Sequence, residues 1–154
     1  MTITITLINP EIPPNTGTIA RLCAATGSQL HIVGKPNFDL SEKALKRAGL
    51  DYWHLVDVSE YPDVQSYIAQ CEVDSTFVVT TKAHLKYTAV RYPKAATLIF
   101  GNETAGLPDW IHHQFQQNRV TIPMKAIDQG MRSLNLANSV SIVLYEIIRQ
   151  QDIF

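Results

Sequence analysis

The chain has 154 residues, 45% hydrophobic and 18% charged, with a formal net charge of −1. That length suits one domain with a single core, and the near-neutral balance argues against indiscriminate nucleic-acid binding. Charged content below the usual quarter fits a protein that covers part of its surface in an oligomer. Two cysteines, Cys23 and Cys71, are too few and too scattered for a disulfide framework or a cysteine-rich metal site. The N-terminus "MTITITLINP" lacks a basic region, and no run of 18 apolar residues occurs, so the expectation is a soluble, cytoplasmic protein.

In chain order, an apolar run predicts a strand at 3–8. A helix follows at 16–26, capped by Asn15 and stopped by Gly27. A strand at 30–33 precedes a helix at 42–48, with Ser41 as cap and Gly49 as stop. Next come a strand at 54–58, a helix at 62–71, and strands at 77–81 and 97–100. A helix at 108–115, a strand at 119–122 and a long helix at 134–150 complete the chain. Short apolar runs alternating with helical patterns predict one α/β domain built on a parallel sheet. In such sheets ligands gather at the carboxyl ends of the strands, which singles out the loops 9–17, 101–108 and 123–133.

Helical angles sharpen two of these elements. In the first helix Ile19, Ala20, Leu22, Cys23 and Thr26 share one side, while Gly17, Thr18 and Arg21 share the other. Cys23 therefore reads as core. Gly17 sits one turn before Arg21, so no side chain blocks the guanidinium. An arginine near a helix start suits a phosphate or an oxyanion, though spacing alone fits a solvated surface arginine equally well. In the last helix Leu136, Ala137, Val140, Val143, Leu144, Ile147 and Ile148 form a core face. Ile142 stands in the opposite arc with Tyr145, ringed by small polar residues, either as an interface anchor or as an isolated exposed isoleucine.

The stretch "TLIFGNETAGLP" (97–108) runs from a strand into a glycine loop. It is not a phosphate loop, because Leu107 and Pro108 stand where Lys and Ser/Thr must follow. A G-x-G-x-x-G fingerprint, a G-x-S-x-G elbow and metal-ligand spacing of the five histidines are all absent. No metal is expected, and His31 and His54 read as structural residues of strands. Glycines and one carboxylate, Glu103, suit a neutral or cationic ligand. Gly101 and Gly106 permit close backbone approach and unusual φ, and Glu103 has an alternative role as an acceptor closing the loop onto Asn15 or a backbone N–H. Between Asp74 and Glu103 there is no acidic residue, while Lys82, Lys86, Arg91 and Lys94 fall there with His84, Tyr87 and Tyr92 interleaved. Such a segment suits single-stranded or looped RNA; a solvated basic loop explains it as well.

Taken together, "NPEIPPNTGTIARLCAATG" (9–27), "LIFGNETAGLP" (98–108), "IPM" (122–124) and "SLNLANSVSIVLYE" (133–146) resemble the SPOUT superfamily. The likeness is to its SpoU branch of S-adenosylmethionine-dependent ribose 2′-O-methyltransferases. With "KRAGLDYW" (46–53) and "TTK" (80–82), the chain is most similar to the TrmL family, which acts on the wobble nucleotide, position 34, of leucine tRNAs. The resemblance implies a parallel α/β fold with a C-terminal deep trefoil knot and an obligate homodimer using Ile142 and Tyr145. It implies S-adenosyl-L-methionine held against Val79, Thr80, Gly101, Glu103, Gly106, Ile122, Met124, Ser133 and Leu134. Arg21 matches the family's arginine, and as an always-charged group it suits a developing alkoxide and the adjacent phosphate better than it suits a base. Asn15 and Asn135 are expected to fix the geometry around it. Lys82, Lys86 and Arg91, with Lys43, Lys46 and Arg47, are the expected tRNA surface. Two departures stand out: Ala105 occupies a place where a basic residue is expected, and "KAIDQGMR" (125–132) is a few residues long.

Overall fold

The computed structural model describes residues 2–41, 43, 52–125 and 127–154. Apart from Lys43, the predicted helix at 42–48, with Lys46 and Arg47, lies outside the described residues. Six strands form one parallel sheet in the order β3-β2-β1-β5-β4-β6. They are β1 Ile3–Ile8, β2 Gln29–Val33, β3 Asp57–Tyr61, β4 Thr76–Val79, β5 Ala96–Phe100 and β6 Arg119–Val120. Among the described residues, four helices flank them: α1 Pro13–Thr26, α2 Val64–Gln70, α3 Asp109–Gln114 and α4 Leu136–Gln151. None of the described helices is long and apolar enough to cross a membrane.

The period of two along each strand divides the core. Ile3, Ile5, Leu7, Phe77, Leu98 and Phe100 point to one face, where α1 and α4 cover them with Ile19, Ala20, Cys23, Val140, Val143, Leu144 and Ile147. Ile8, Val33, Val78 and Ile99 point to the other, under Tyr67 and Ile68 of α2 and Ile111 and Phe115 beside α3. β1 is buried along its whole length, as expected of a central strand with helices on both faces. The predicted apolar face of the last helix is the buried one, with Leu136 half-buried at its start.

Three expectations are corrected. α1 begins at Pro13, three residues before the predicted start, and Asn15 is not its cap. Pro13 and Pro14 occupy the first positions, where a missing N–H costs nothing and the fixed φ suits the helix. The strand predicted at 54–58 lies at Asp57–Tyr61 instead. There the polar "DVSEY" forms the edge strand, and the more apolar Trp53–Leu55 makes a 3₁₀ turn. His54 consequently sits exposed in that turn rather than in a strand.

On the second face His31 Nδ1 lies 2.8 Å from the Tyr67 hydroxyl, which lies 2.7 Å from Thr6 Oγ1. Burial pushes the His31 imidazole below its ordinary pKa, against a smaller upward pull from Asp57. The sheet order reverses between β1 and β5: β2 and β3 extend to one side, β5, β4 and β6 to the other. Loops leaving the strand ends at such a reversal diverge and open a crevice.

Candidate active site

The glycine loop is built by its own hydrogen bonds. Asn102 Oδ1 accepts from the N–H of Thr104 (3.2 Å) and of Ala105 (2.6 Å), and its carbonyl accepts from Gly106 N–H at 3.2 Å. An asparagine that turns the chain onto its own backbone is a known loop device, and the sequence reading, which rested on the two glycines and Glu103, gave Asn102 no role. Gly106 has φ +67°, the left-handed region open to glycine. A Cβ at Gly101 would lie 2.3 Å from the Gly106 carbonyl carbon, so only glycine lets the loop fold back this closely. Leu107, buried in the second core, anchors the exit into α3.

Glu103 does not point into open space. Its carboxylate accepts from Glu11 N–H at 2.9 Å, Ile12 N–H at 3.1 Å and Asn15 Nδ2 at 3.3 Å. It thereby satisfies two backbone donors at the mouth of α1, which no α1 side chain caps. The Thr104 hydroxyl donates to the Glu11 carboxylate beside it. Asn15 Oδ1 then accepts from Asn135 Nδ2 at 3.1 Å, and Asn135 caps α4 by accepting from Asn138 N–H at 3.2 Å. One relay, Glu103–Asn15–Asn135, joins the glycine loop to the starts of α1 and α4.

These segments enclose a cleft of about 480 Å³, within the range of small-molecule sites. All nine predicted wall residues line it: Val79 and Thr80 after β4, Gly101, Glu103 and Gly106 after β5, Ile122 and Met124 after β6, and Ser133 and Leu134 before α4. Asn15, Asn135 and Lys82 line it too. The long stretch before Ser133 therefore still returns that residue to the wall, with Arg132 beside it. Ala105 is exposed and also lines the cleft.

Arg21 is not among the wall residues. It lies exposed on α1, its guanidinium 4.9 Å from the centroid of the Tyr52 ring. The sequence reading assigned Tyr52 no role, and nothing in its spacing marks it.

The basic segment is pinned while its charges face water. Thr121 N–H donates to the Leu85 carbonyl at 2.8 Å, and Tyr87 N–H to the Thr121 carbonyl at 3.0 Å, so residues 85–87 continue the sheet beyond β6. Tyr92, buried, donates its hydroxyl to the Tyr87 carbonyl, and its N–H donates to Gln150 of α4. Lys86 and Arg91 are exposed. Lys82 Nζ is 3.9 Å from an Asp109 carboxylate oxygen, but both side chains are largely solvated, at 64% and 88% exposure. Such a pair contributes little and leaves Lys82 available. His112, 4% exposed, is held below its ordinary pKa by burial first and by Lys82 and Arg119 after it. Cys23 is pushed up to about 12 by burial, so it is no nucleophile. Ile142 is half-buried and Tyr145 is 50% exposed, on one face of α4.

The amino-acid chain matches the SpoU rRNA Methylase family across residues 2–145. The chain belongs to that family. Among SpoU relatives, a tRNA (cytidine(34)-2′-O)-methyltransferase of Yersinia pestis is 45% identical over 152 residues, 95% of this chain and 92% of its own. A solved SpoU-like structure, concerned with the 2-OH methylation of C/U34 on tRNA, superposes with TM-score 0.87 at 34% identity, covering 98% of this chain and 91% of that one. The fold is also that of an AdoMet-bound rRNA methyltransferase from Sinorhizobium meliloti, with TM-score 0.81 at 24% identity over 96% of this chain and 56% of that one.

Proposed function

We infer that this chain is a tRNA methyltransferase that moves a methyl group from S-adenosylmethionine to the ribose 2′-OH of nucleotide 34. The observation that carries the reading is 45% identity, along 95% of the chain, to a tRNA (cytidine(34)-2′-O)-methyltransferase. The cleft suits the donor chemically. Its glycine loop carries no lysine, its one acid is engaged by N–H donors, and a Cβ at Gly101 would strike the loop backbone. The glycine loop therefore offers amide and apolar surface and no cation, the charges of Lys82 and Arg132 lying elsewhere in the lining, and such a loop accepts a sulfonium and a nucleoside more readily than a triphosphate.

Bound there, S-adenosylmethionine supplies an electrophilic methyl group. Val79, Thr80, Gly101, Gly106, Ile122, Met124, Ser133 and Leu134 would hold it, with Glu103 bracing the wall. Arg21 keeps a fixed positive charge that stabilises oxygen as the 2′-OH loses its proton to solvent, and grips the neighbouring phosphate. Asn15 and Asn135 hold the start of the arginine's helix in register with the cleft. Lys82, Lys86 and Arg91 line the tRNA path, and holding the ribose in line with the methyl supplies much of the rate. The working unit is a cytoplasmic homodimer of one-domain chains, joined through the Ile142/Tyr145 face, with Arg21 brought to the reacting ribose on assembly with tRNA. We further propose that the segment before α4 and α4 itself form the trefoil knot, and that leucine tRNAs are the substrates.

Incubation with isotope-labelled S-adenosylmethionine and total tRNA, followed by nucleoside mass spectrometry, tests this. Labelled 2′-O-methylcytidine or 2′-O-methyluridine, lost in Arg21→Ala, is expected. Donor binding without transfer overturns the enzyme reading, and label confined to rRNA overturns the tRNA reading.

A further inference from the structure

Arg21 is exposed, and no carboxylate among the described residues pairs with it. Among the described residues its one recorded partner is the face of Tyr52, 4.9 Å from ring centroid to guanidinium carbon. That distance is inside the range of a cation–π contact. The choice of partner has consequences. A carboxylate would orient the guanidinium but also cancel its field and occupy two of its N–H donors. An aromatic face orients it from one side, contributes no acceptor, and leaves the five donors for an anion.

Tyr52 is well fixed for this purpose. Its carbonyl accepts from Leu55 N–H at 2.8 Å, closing the 3₁₀ turn Trp53–Leu55. Trp53, next in sequence, packs against the main core, and the turn lies against α1. The ring therefore rests on a backbone held by both the turn and the core, and is half-buried itself.

We propose that Tyr52 is a positioning residue for the transfer reaction: its ring holds the Arg21 guanidinium in one orientation while leaving its charge and donors unspent for the substrate. The inference rests on the methyltransferase reading for its catalytic consequence, and on the Arg21–Tyr52 contact for its structural one. Loss of the ring frees the long arginine side chain among its rotamers, so the cost falls on the reacting complex. Donor binding in the cleft, which neither residue lines, stays unchanged.

Two readouts test it. In single-turnover transfer to tRNA, Tyr52→Leu is expected to lower the rate about three- to five-fold, as loss of an exposed cation–π contact does. The Kd for S-adenosylmethionine should be unchanged, and Tyr52→Phe, which keeps the ring, should restore the parent rate. Independently of activity, the Arg21 side-chain N–H signal in NMR should carry a ring-current shift that Tyr52→Leu removes and Tyr52→Phe preserves. A Tyr52→Leu enzyme as fast as the parent, a Phe variant as slow as Leu, or an Arg21 signal insensitive to Leu each overturns the proposal. A parent enzyme that transfers no methyl fells the methyltransferase reading instead, and the Arg21 signal still decides whether the ring holds the arginine.

Discussion

Replacing Glu103 with alanine separates two roles that a carboxylate in a cleft wall can have. The side chain accepts three hydrogen bonds, two from backbone N–H groups before α1 and one from Asn15. A hydrogen bond to a charged group contributes about 1.5–3 kcal/mol, and the site is partly exposed, so we take the net loss as about 2 kcal/mol. For a chain of 154 residues each kcal/mol moves Tm by about 2–4 °C, so the ligand-free Glu103→Ala protein should melt about 4–8 °C lower. The freed loop then spends less time in its binding-competent shape, and the Kd for S-adenosylmethionine rises by up to about 30-fold. Differential scanning fluorimetry without ligand and calorimetric titration with it give the two numbers. Asn15→Ala should be non-additive with Glu103→Ala, because the two share one relay. A ligand-free Tm within about 1 °C of the parent, together with lost donor binding, would refute the brace and make Glu103 a ligand contact instead.

Gly101→Ala places a methyl 2.3 Å from the Gly106 carbonyl carbon; the loop must open, at about 2–3 kcal/mol, and both Tm and donor affinity should fall. Ile142→Glu should give a monomer by sedimentation velocity, and an unchanged dimer would move the interface elsewhere. His31 and His112 are both held below their ordinary pKa, chiefly by burial. Their neutral forms are favoured by folding, so this stability is complete above the unfolded value of about 6.5 and is lost as pH falls through the lower folded values. Tm measured from pH 7.5 to 5 should therefore decline, and His31→Gln should flatten the curve; a Tm that rises on acidification contradicts the assignment.

The order of strands and helices was readable because hydrophobic period and helix stops agree over most of the chain. β3 was misplaced for a physical reason. An edge strand needs no apolar alternation, so the more apolar residues beside it drew the assignment three residues early. The start of α1 was hidden because two prolines look like a break, although the first helical turn accepts them. At the site, loop position at the strand ends pointed to three segments that enclose the cleft, while the individual wall residues came through resemblance. Glu103 illustrates the boundary: the sequence offered both a ligand contact and a structural acceptor, and the distances to Glu11, Ile12 and Asn15 show the acceptor. The Arg21–Tyr52 contact was beyond reach, since it joins residues of two elements whose packing no local pattern encodes.

The relay also sets an order of events. Its links span 88 and 120 residues of chain, and bringing such distant segments together costs loop entropy before any hydrogen bond forms. On the ribosome, the donor cleft can exist only after α4 has emerged and Asn135 has met Asn15. A methyl donor that binds only the closed cleft then stabilises finished molecules and leaves incomplete ones unprotected.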